Sequence, residues 1–154
     1  MDRVNIVTIT SCKGPAKQKA DGMLLVEFIH NGEPLTKTKV IHKDSITSME
    51  FSLQLLANAM YIVNHANTDF DSIEVYSDEQ SITSAFNNKW VEKWQQDNWL
   101  TAKGTDVKHK DIWNMILELM NQSGKRFIFC KEKSSYENWM RNQMRWQIEK
   151  EGQA

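Results

Sequence analysis

Three strand-like segments follow one another at the start of the chain, with no helical pattern between them. They cover 4–10, 22–30 and 35–41, and each is rich in β-branched and aliphatic residues. The dipeptide Asn31-Gly32 separates the last two, and it suits the positive φ angles of a tight hairpin turn. The polar stretch 16–21 predicts a loop after the first strand. Consecutive strands with short connections predict an antiparallel unit.

The third of these segments has the pattern of a strand at the edge of a sheet. Its two lysines, Lys37 and Lys39, alternate with Thr36, Thr38 and Val40. Lysine side chains on an edge strand oppose pairing with another chain. We therefore predict an edge strand with one solvated face.

The remainder of the chain alternates helical and strand patterns. Ser45 or Thr47 can cap a helix, and Glu50 follows Thr47 at the spacing of a capping box. Apolar residues then recur at helical intervals. The predicted elements are a helix over 47–64, a strand over 73–77, helices over 79–87, 89–96 and 111–121, a strand over 126–130 and a helix over 136–149. This order predicts an α/β fold: a mixed five-stranded sheet, three strands antiparallel and then two parallel, flanked by helices.

Length and composition place the chain among ordinary globular proteins. Its 154 residues predict one domain, 1–154. The sequence has no apolar run of about 20 residues and no signal-peptide pattern at its start, so we expect a cytoplasmic protein without a membrane segment. Cys12 and Cys130 are expected to be free thiols. The net charge of −1 means that any nucleic-acid surface must be a local cluster of lysines and arginines.

Several short motifs follow one another in a distinctive order along the chain. An acidic residue ends the fourth predicted strand in Tyr76-Ser77-Asp78-Glu79-Gln80, and the tryptophans at 90, 94, 99 and 113 follow it. Met49-Glu50 begins the first predicted helix, Thr8-Ile9-Thr10-Ser11-Cys12 ends the first strand, and Glu137-Asn138 begins the last helix. On these stretches the chain resembles type 1 ribonucleases H. The resemblance implies the ribonuclease H fold and RNA–DNA hybrid as the substrate class.

The resemblance also implies a site for Mg²⁺ or Mn²⁺ made by four carboxylates, which cleaves the RNA strand with two metal ions. Glu50 and Asp78 match two of these catalytic, metal-binding acids. Ile9 and Asn142 stand where the other two are expected, with Met140 as the alternative position for the last acid. An isoleucine offers no ligand, and an amide oxygen carries no charge. We therefore expect a degenerate site whose hydrolysis is weak or absent.

Three other acids are candidates to replace the missing ones. Glu79 follows Asp78 directly, although neighbouring side chains usually point apart. Glu132 and Glu137 lie in or beside the loop before the last helix. The sequence leaves all three open.

The segment 89–111, called the protrusion below, matches the family's tryptophan-rich basic extension but carries nearly balanced charge. Its tryptophans are expected to pack together with Trp113 more than to stack on bases. The candidate nucleic-acid contacts are Gln80, Trp90, Trp94, Lys93 and Lys108, together with Ser45 and Thr47, whose hydroxyls can meet a phosphate. With so few unopposed lysines, hybrid binding should be weak and sensitive to salt.

Three functions are compatible with these residues. The first is a ribonuclease H-like domain that binds nucleic acid and hydrolyses it weakly or not at all. The second is an active metal-dependent hybrid ribonuclease with a rearranged acid set. The third is a protein-interaction module on an inactivated nuclease scaffold. The sequence pattern specifies no oligomeric state.

Overall fold

A computed structural model describes residues 2–66 and 68–152. The chain forms strands and helices in the order β1 Arg3–Thr10, β2 Gln18–His30, β3 Glu33–Ile46, α1 Ser48–His65, β4 Ser72–Ser77, α2 Gln80–Asn87, α3 Trp90–Gln96, α4 Lys110–Ser123, β5 Arg126–Cys130 and α5 Glu137–Gly152. The predicted segments all occur, and β5 has the predicted bounds.

The strands form a single mixed sheet in the order β3-β2-β1-β4-β5. β1 and β3 are antiparallel to β2, whereas β4 is parallel to both β1 and β5. Asn31 and Gly32 have φ angles of 52° and 79°, as the hairpin between β2 and β3 requires. The predicted fold class, with three antiparallel strands followed by two parallel ones, is confirmed.

The prediction of a loop over 16–21 is wrong at its end, because β2 begins at Gln18. Ala20 is fully buried and pairs with Lys43 of β3. The strand β3 continues beyond its predicted end to Ile46. Pairing between the two strands outweighs the local polarity of this stretch.

The prediction of one solvated face on β3 is also wrong. Both faces are exposed over 33–39, since α1 and α5 pack on β1 and β2.

The two faces of the sheet have separate apolar cores. On one face, side chains of β1 and β2 pack against α1, with Phe51 and Leu55 fully buried. Gly22 of β2 permits this close contact, because an added Cβ would lie 2.6 Å from Phe51 Cζ. On the other face, the smaller core under α5 consists of Val7, Ile9, Met23, Leu25, Met140 and Met144. Alternation along β1 assigns successive residues to opposite faces.

Caps fix the helices that border the candidate site. The Thr47 hydroxyl accepts a hydrogen bond from the Glu50 amide at 3.3 Å, which starts α1 as predicted. Gly124 ends α4 with a φ of 63°.

Cys12 and Cys130 are free thiols. Within residues 2–66 and 68–152, every helix is too short or too polar to cross a membrane.

The protrusion is held to the body by part of its tryptophan set. Trp94 packs edge-on against Trp113 with 5.4 Å between ring centroids, and Trp99 also contacts the core. Trp90 does not join them, because 47% of its surface is exposed at the start of α3. The prediction that all four rings pack together is therefore wrong for Trp90, which lies at the exposed end of a short helix.

Candidate active-site cleft

The candidate cleft lies where β1 and β4 end side by side. These strands are parallel, and the Asp78 amide continues their ladder by donating to the Thr8 carbonyl at 3.2 Å. One carboxylate oxygen of Asp78, Oδ2, accepts from the Thr10 amide at 2.9 Å. Asp78 is therefore fixed across the ends of two strands. It does not cap the next helix, since Glu79 occupies the N-cap position of α2.

A guanidinium group fills the space between two acids of this cleft. Nη2 of Arg141 lies 3.1 Å from Asp78 Oδ2 and 3.5 Å from Glu137 Oε1. Its Nη1 donates to the Thr10 carbonyl at 3.1 Å. Lys133 approaches the second oxygen of Glu137 at 3.0 Å. The cleft thus carries its own positive charges.

Burial governs the titration of Asp78. Loss of solvent raises the pKa of this carboxyl above its ordinary value, whereas the hydrogen bond from Thr10 and the charge of Arg141 act to lower it. The raising effect is the larger one. The surrounding cavity has a volume of about 320 Å³, and Gln80 and Glu132 also contribute to its wall.

Ile9 belongs to the apolar layer between the sheet and α5. It is fully buried, in the cluster that includes Met140 and Met144 of α5. Met140 faces the same core and is fully buried too. Neither side chain carries an oxygen or nitrogen atom, and neither lines the cavity around Asp78.

Asn142 lies on the exposed side of α5, and the preceding residue, Arg141, is the one that reaches Asp78. Sequence reasoning missed Arg141. A signal was available, because Glu137 and Arg141 have the i, i+4 spacing of a helical ion pair.

The remaining acids point in different directions. Glu50 is half-buried in the first turn of α1, with Gln54 Nε2 3.5 Å from its Oε1. Glu79 accepts from the Ser48 hydroxyl at 2.5 Å, so it faces the start of α1. Glu132 is exposed in the loop before α5. Across the part of the chain that the structure describes, no three His, Cys, Asp or Glu side chains converge into a metal-binding group.

A second opening separates the start of α1 from the protrusion, and we call it the groove. Its volume is about 680 Å³. Of the expected nucleic-acid contacts, it brings together Thr47, Trp94 and Lys108. The others lie outside its lining: Gln80 borders the cleft, whereas Ser45, Trp90 and Lys93 are exposed on β3 and α3.

Comparison with known proteins gives one consistent match. The model of the RNase H family matches residues 2–147. Ribonuclease H of Clostridium botulinum is 28% identical over 137 residues, covering 89% of this chain and 88% of the relative. Ribonuclease H of Acetivibrio thermocellus is 27% identical over 137 residues, covering 89% and 87%.

Solved structures agree on the fold. LC9-RNase H1, described as a type 1 RNase H with the type 2 active-site motif, superposes with a TM-score of 0.68 at 18% identity, covering 86% of this chain and 64% of that one. A foamy viral protease-reverse transcriptase in complex with RNA/DNA hybrid gives 0.66 at 12% identity, covering 93% and 19%.

Proposed function

The chain belongs to the RNase H family, and from this premise we propose that it binds RNA–DNA hybrids while hydrolysing them weakly or not at all. The observation that carries the proposal is Ile9. A fully buried isoleucine in the apolar layer under α5 stands where the family resemblance requires a metal-bridging carboxylate.

The reaction of this family needs two divalent ions held by acidic side chains, one to activate water and one to stabilise the leaving oxygen. Mg²⁺ prefers carboxylate oxygens and near-octahedral geometry. Here Glu50 and Asp78 are the proposed remnants, and Asp78 Oδ2 is already paired with Arg141. This donor set does not fit two ions. We propose that Glu50 and Asp78 hold at most one weakly bound Mg²⁺ or Mn²⁺.

The groove is the proposed contact surface for the hybrid. Thr47 and Lys108 offer a hydroxyl and an ammonium group to phosphates, and Trp94 supplies an apolar wall. Further contacts are proposed outside the groove, at Gln80 in the wall of the cleft and at the exposed Ser45, Lys93 and Trp90. Lysines that contact phosphates raise the affinity for a nucleic acid whatever its base sequence. The hybrid should therefore be recognised by the shape of its duplex rather than by its bases.

Binding can be measured by fluorescence anisotropy with a labelled hybrid and with DNA and RNA duplexes of the same sequence. We expect a preference for the hybrid and a slope of log K against log salt of about −3, which corresponds to roughly three phosphate contacts. Lys108→Ala should make that slope shallower by about 0.9, whereas Lys125→Ala should not change it, because Lys125 follows the end of α4, pairs with Asp69 and does not line the groove. Absence of binding at low salt would contradict the proposal.

Hydrolysis can be tested by restoring the acids. Ile9→Asp introduces a carboxylate at the position implied by the resemblance, and Arg141→Asp places a second one at the residue of α5 that reaches Asp78 while removing its ion pair. We expect Mn²⁺-dependent cleavage to appear in the double variant and to vanish again with Asp78→Asn. Circular dichroism must show a folded chain, because a carboxylate at position 9 is costly in an apolar core.

A further inference from the structure

We infer that Arg141 is the resident cation of the cleft, compensating Asp78 and Glu137 in place of a divalent ion and so keeping such an ion out. The family context of this inference rests on the proposed function. Its test involves no nucleic acid and no cleavage, so the two can fail separately.

The geometry is that of a cation shared by two acids. The side chains of Asp78 and Glu137 are only 17% and 11% exposed, and Nη2 of Arg141 lies 3.1 Å and 3.5 Å from one oxygen of each. A guanidinium group has several donors in a fixed plane, so it can serve more than one acceptor at once. Its other nitrogen, Nη1, uses this capacity on the Thr10 carbonyl at 3.1 Å.

An ordinary helical ion pair does not account for this arrangement. The pair with Glu137 is an i, i+4 contact within α5, which alone would be a common surface feature. The bond to Asp78 instead joins residues 63 positions apart, and the bond to Thr10 joins residues 131 positions apart. One guanidinium therefore ties α5 to the ends of both β4 and β1.

Charge explains why this cation and a metal exclude each other. Two carboxylates that face one another away from water repel unless a cation lies between them. Either a metal ion or a guanidinium can supply that charge, but both together would place like charges within a few ångströms. Asp78 and Glu137 are matched here by Arg141 and Lys133, which leaves no net negative charge from these four groups to attract Mn²⁺.

The test measures the affinity of the full chain for Mn²⁺, both from the electron paramagnetic resonance signal of free Mn²⁺ and by calorimetry. We expect Arg141→Gln to bind Mn²⁺ at least about tenfold more tightly than the wild type, and Arg141→Lys to remain like the wild type because it keeps the charge. Arg145→Gln is the matched control. It removes the same charge one turn along α5, and Arg145 forms no ion pair with any residue in 2–66 or 68–152.

A second change locates the ion that binds. Adding Asp78→Asn to Arg141→Gln should abolish the gain in affinity if Mn²⁺ takes the place of the guanidinium. The inference is overturned if Arg141→Gln gains no more affinity than Arg145→Gln, or if the wild type binds Mn²⁺ through Asp78 as tightly as Arg141→Gln does. Arg141→Met provides the same measurement in a second side chain if Arg141→Gln does not fold.

Discussion

Ile9 lies on the face of β1 that α5 covers, and no part of it reaches solvent. Its neighbours in the cluster are aliphatic and methionine side chains from β1, β2 and α5. Asp78, at the end of the adjacent strand, is joined to Thr10 on that same β1 strand. The end of β1 therefore has a buried isoleucine on the side of α5 and, at Thr10, a contact with Asp78, the carboxylate that pairs with Arg141.

Truncation of Ile9 tests its place in the core. Ile9→Ala should lower the free energy of unfolding by about 3 kcal/mol, because it removes buried methyl groups and leaves a cavity. Leu35→Ala, at a side chain that is 63% exposed on β3, should change it by less than about 0.5 kcal/mol. Urea denaturation measures both. A loss below about 1 kcal/mol for Ile9→Ala would mean that the position is loosely packed.

The raised pKa of Asp78 predicts a pH-dependent difference between the wild type and Asp78→Asn. A carboxyl whose folded pKa exceeds its unfolded value contributes stability at low pH and loses it as the pH rises through the folded value. The ordinary value is 3.8. The stability of the wild type relative to Asp78→Asn should therefore fall as the pH increases above about 4. Denaturation across this range measures it, and an increase with pH would contradict the raised pKa.

For single residues, short sequence motifs indicate that Ile9 and Asp78 occupy two of the expected acid positions. They do not indicate the role of Arg141. A bond between residues 63 positions apart depends on how α5 docks on the sheet. One step along a helix turns a side chain by about 100°. That rotation separates the exposed Asn142 from Arg141, so the spacing of Glu137 and Arg141 indicates an ion pair within the helix but not the contact with Asp78.

Among the elements, the contact of α1 with the sheet depends on one glycine. A Cβ at Gly22 would lie 2.6 Å from Phe51 Cζ and 2.8 Å from Leu55 Cδ1. Gly22→Ala should therefore displace α1 and lower the free energy of unfolding by about 2 kcal/mol. The double variant Gly22→Ala with Phe51→Leu replaces the opposing ring with a smaller side chain and should recover part of this loss. If Gly22→Ala were as stable as the wild type, the close approach would be incorrect.

The sequence predicts the elements best where the pattern is local. β5 is a short apolar run with clear ends, and α1 has both a cap and a helical repeat. The start of β2 and the end of β3 are polar and become strands because they pair with each other. Such pairing is a property of the folded sheet, so local composition does not reveal it.

The protrusion separates two kinds of tryptophan. Trp94→Ala should lower the free energy of unfolding by about 2 kcal/mol, since it removes the contact with Trp113. Trp90→Ala should cost less than about 1 kcal/mol in stability, because that ring is half exposed. Trp90→Ala should weaken hybrid binding by about fivefold, because the lost apolar contact is worth roughly 1 kcal/mol. Equal effects of the two changes on stability would contradict this division.

For the whole molecule, charge distribution sets what the two openings can do. The net charge is −1, so attraction to a polyanion must come from a few lysines near the groove. In the cleft, the cations are paired with buried acids. Under the proposed function, the groove binds the hybrid, while Ile9 stands in place of one acid and the acids of the cleft are matched by its own cations.

The decisive measurement for the loss of catalysis is single-turnover cleavage of a labelled RNA–DNA hybrid, with the protein in excess and with Mg²⁺ or Mn²⁺ present. The wild type should cleave at or close to the background rate of Asp78→Asn, while both still bind the hybrid in the anisotropy assay. Rapid cleavage by the wild type that disappears in Asp78→Asn would show a working metal site, which is the opposite of the proposed function.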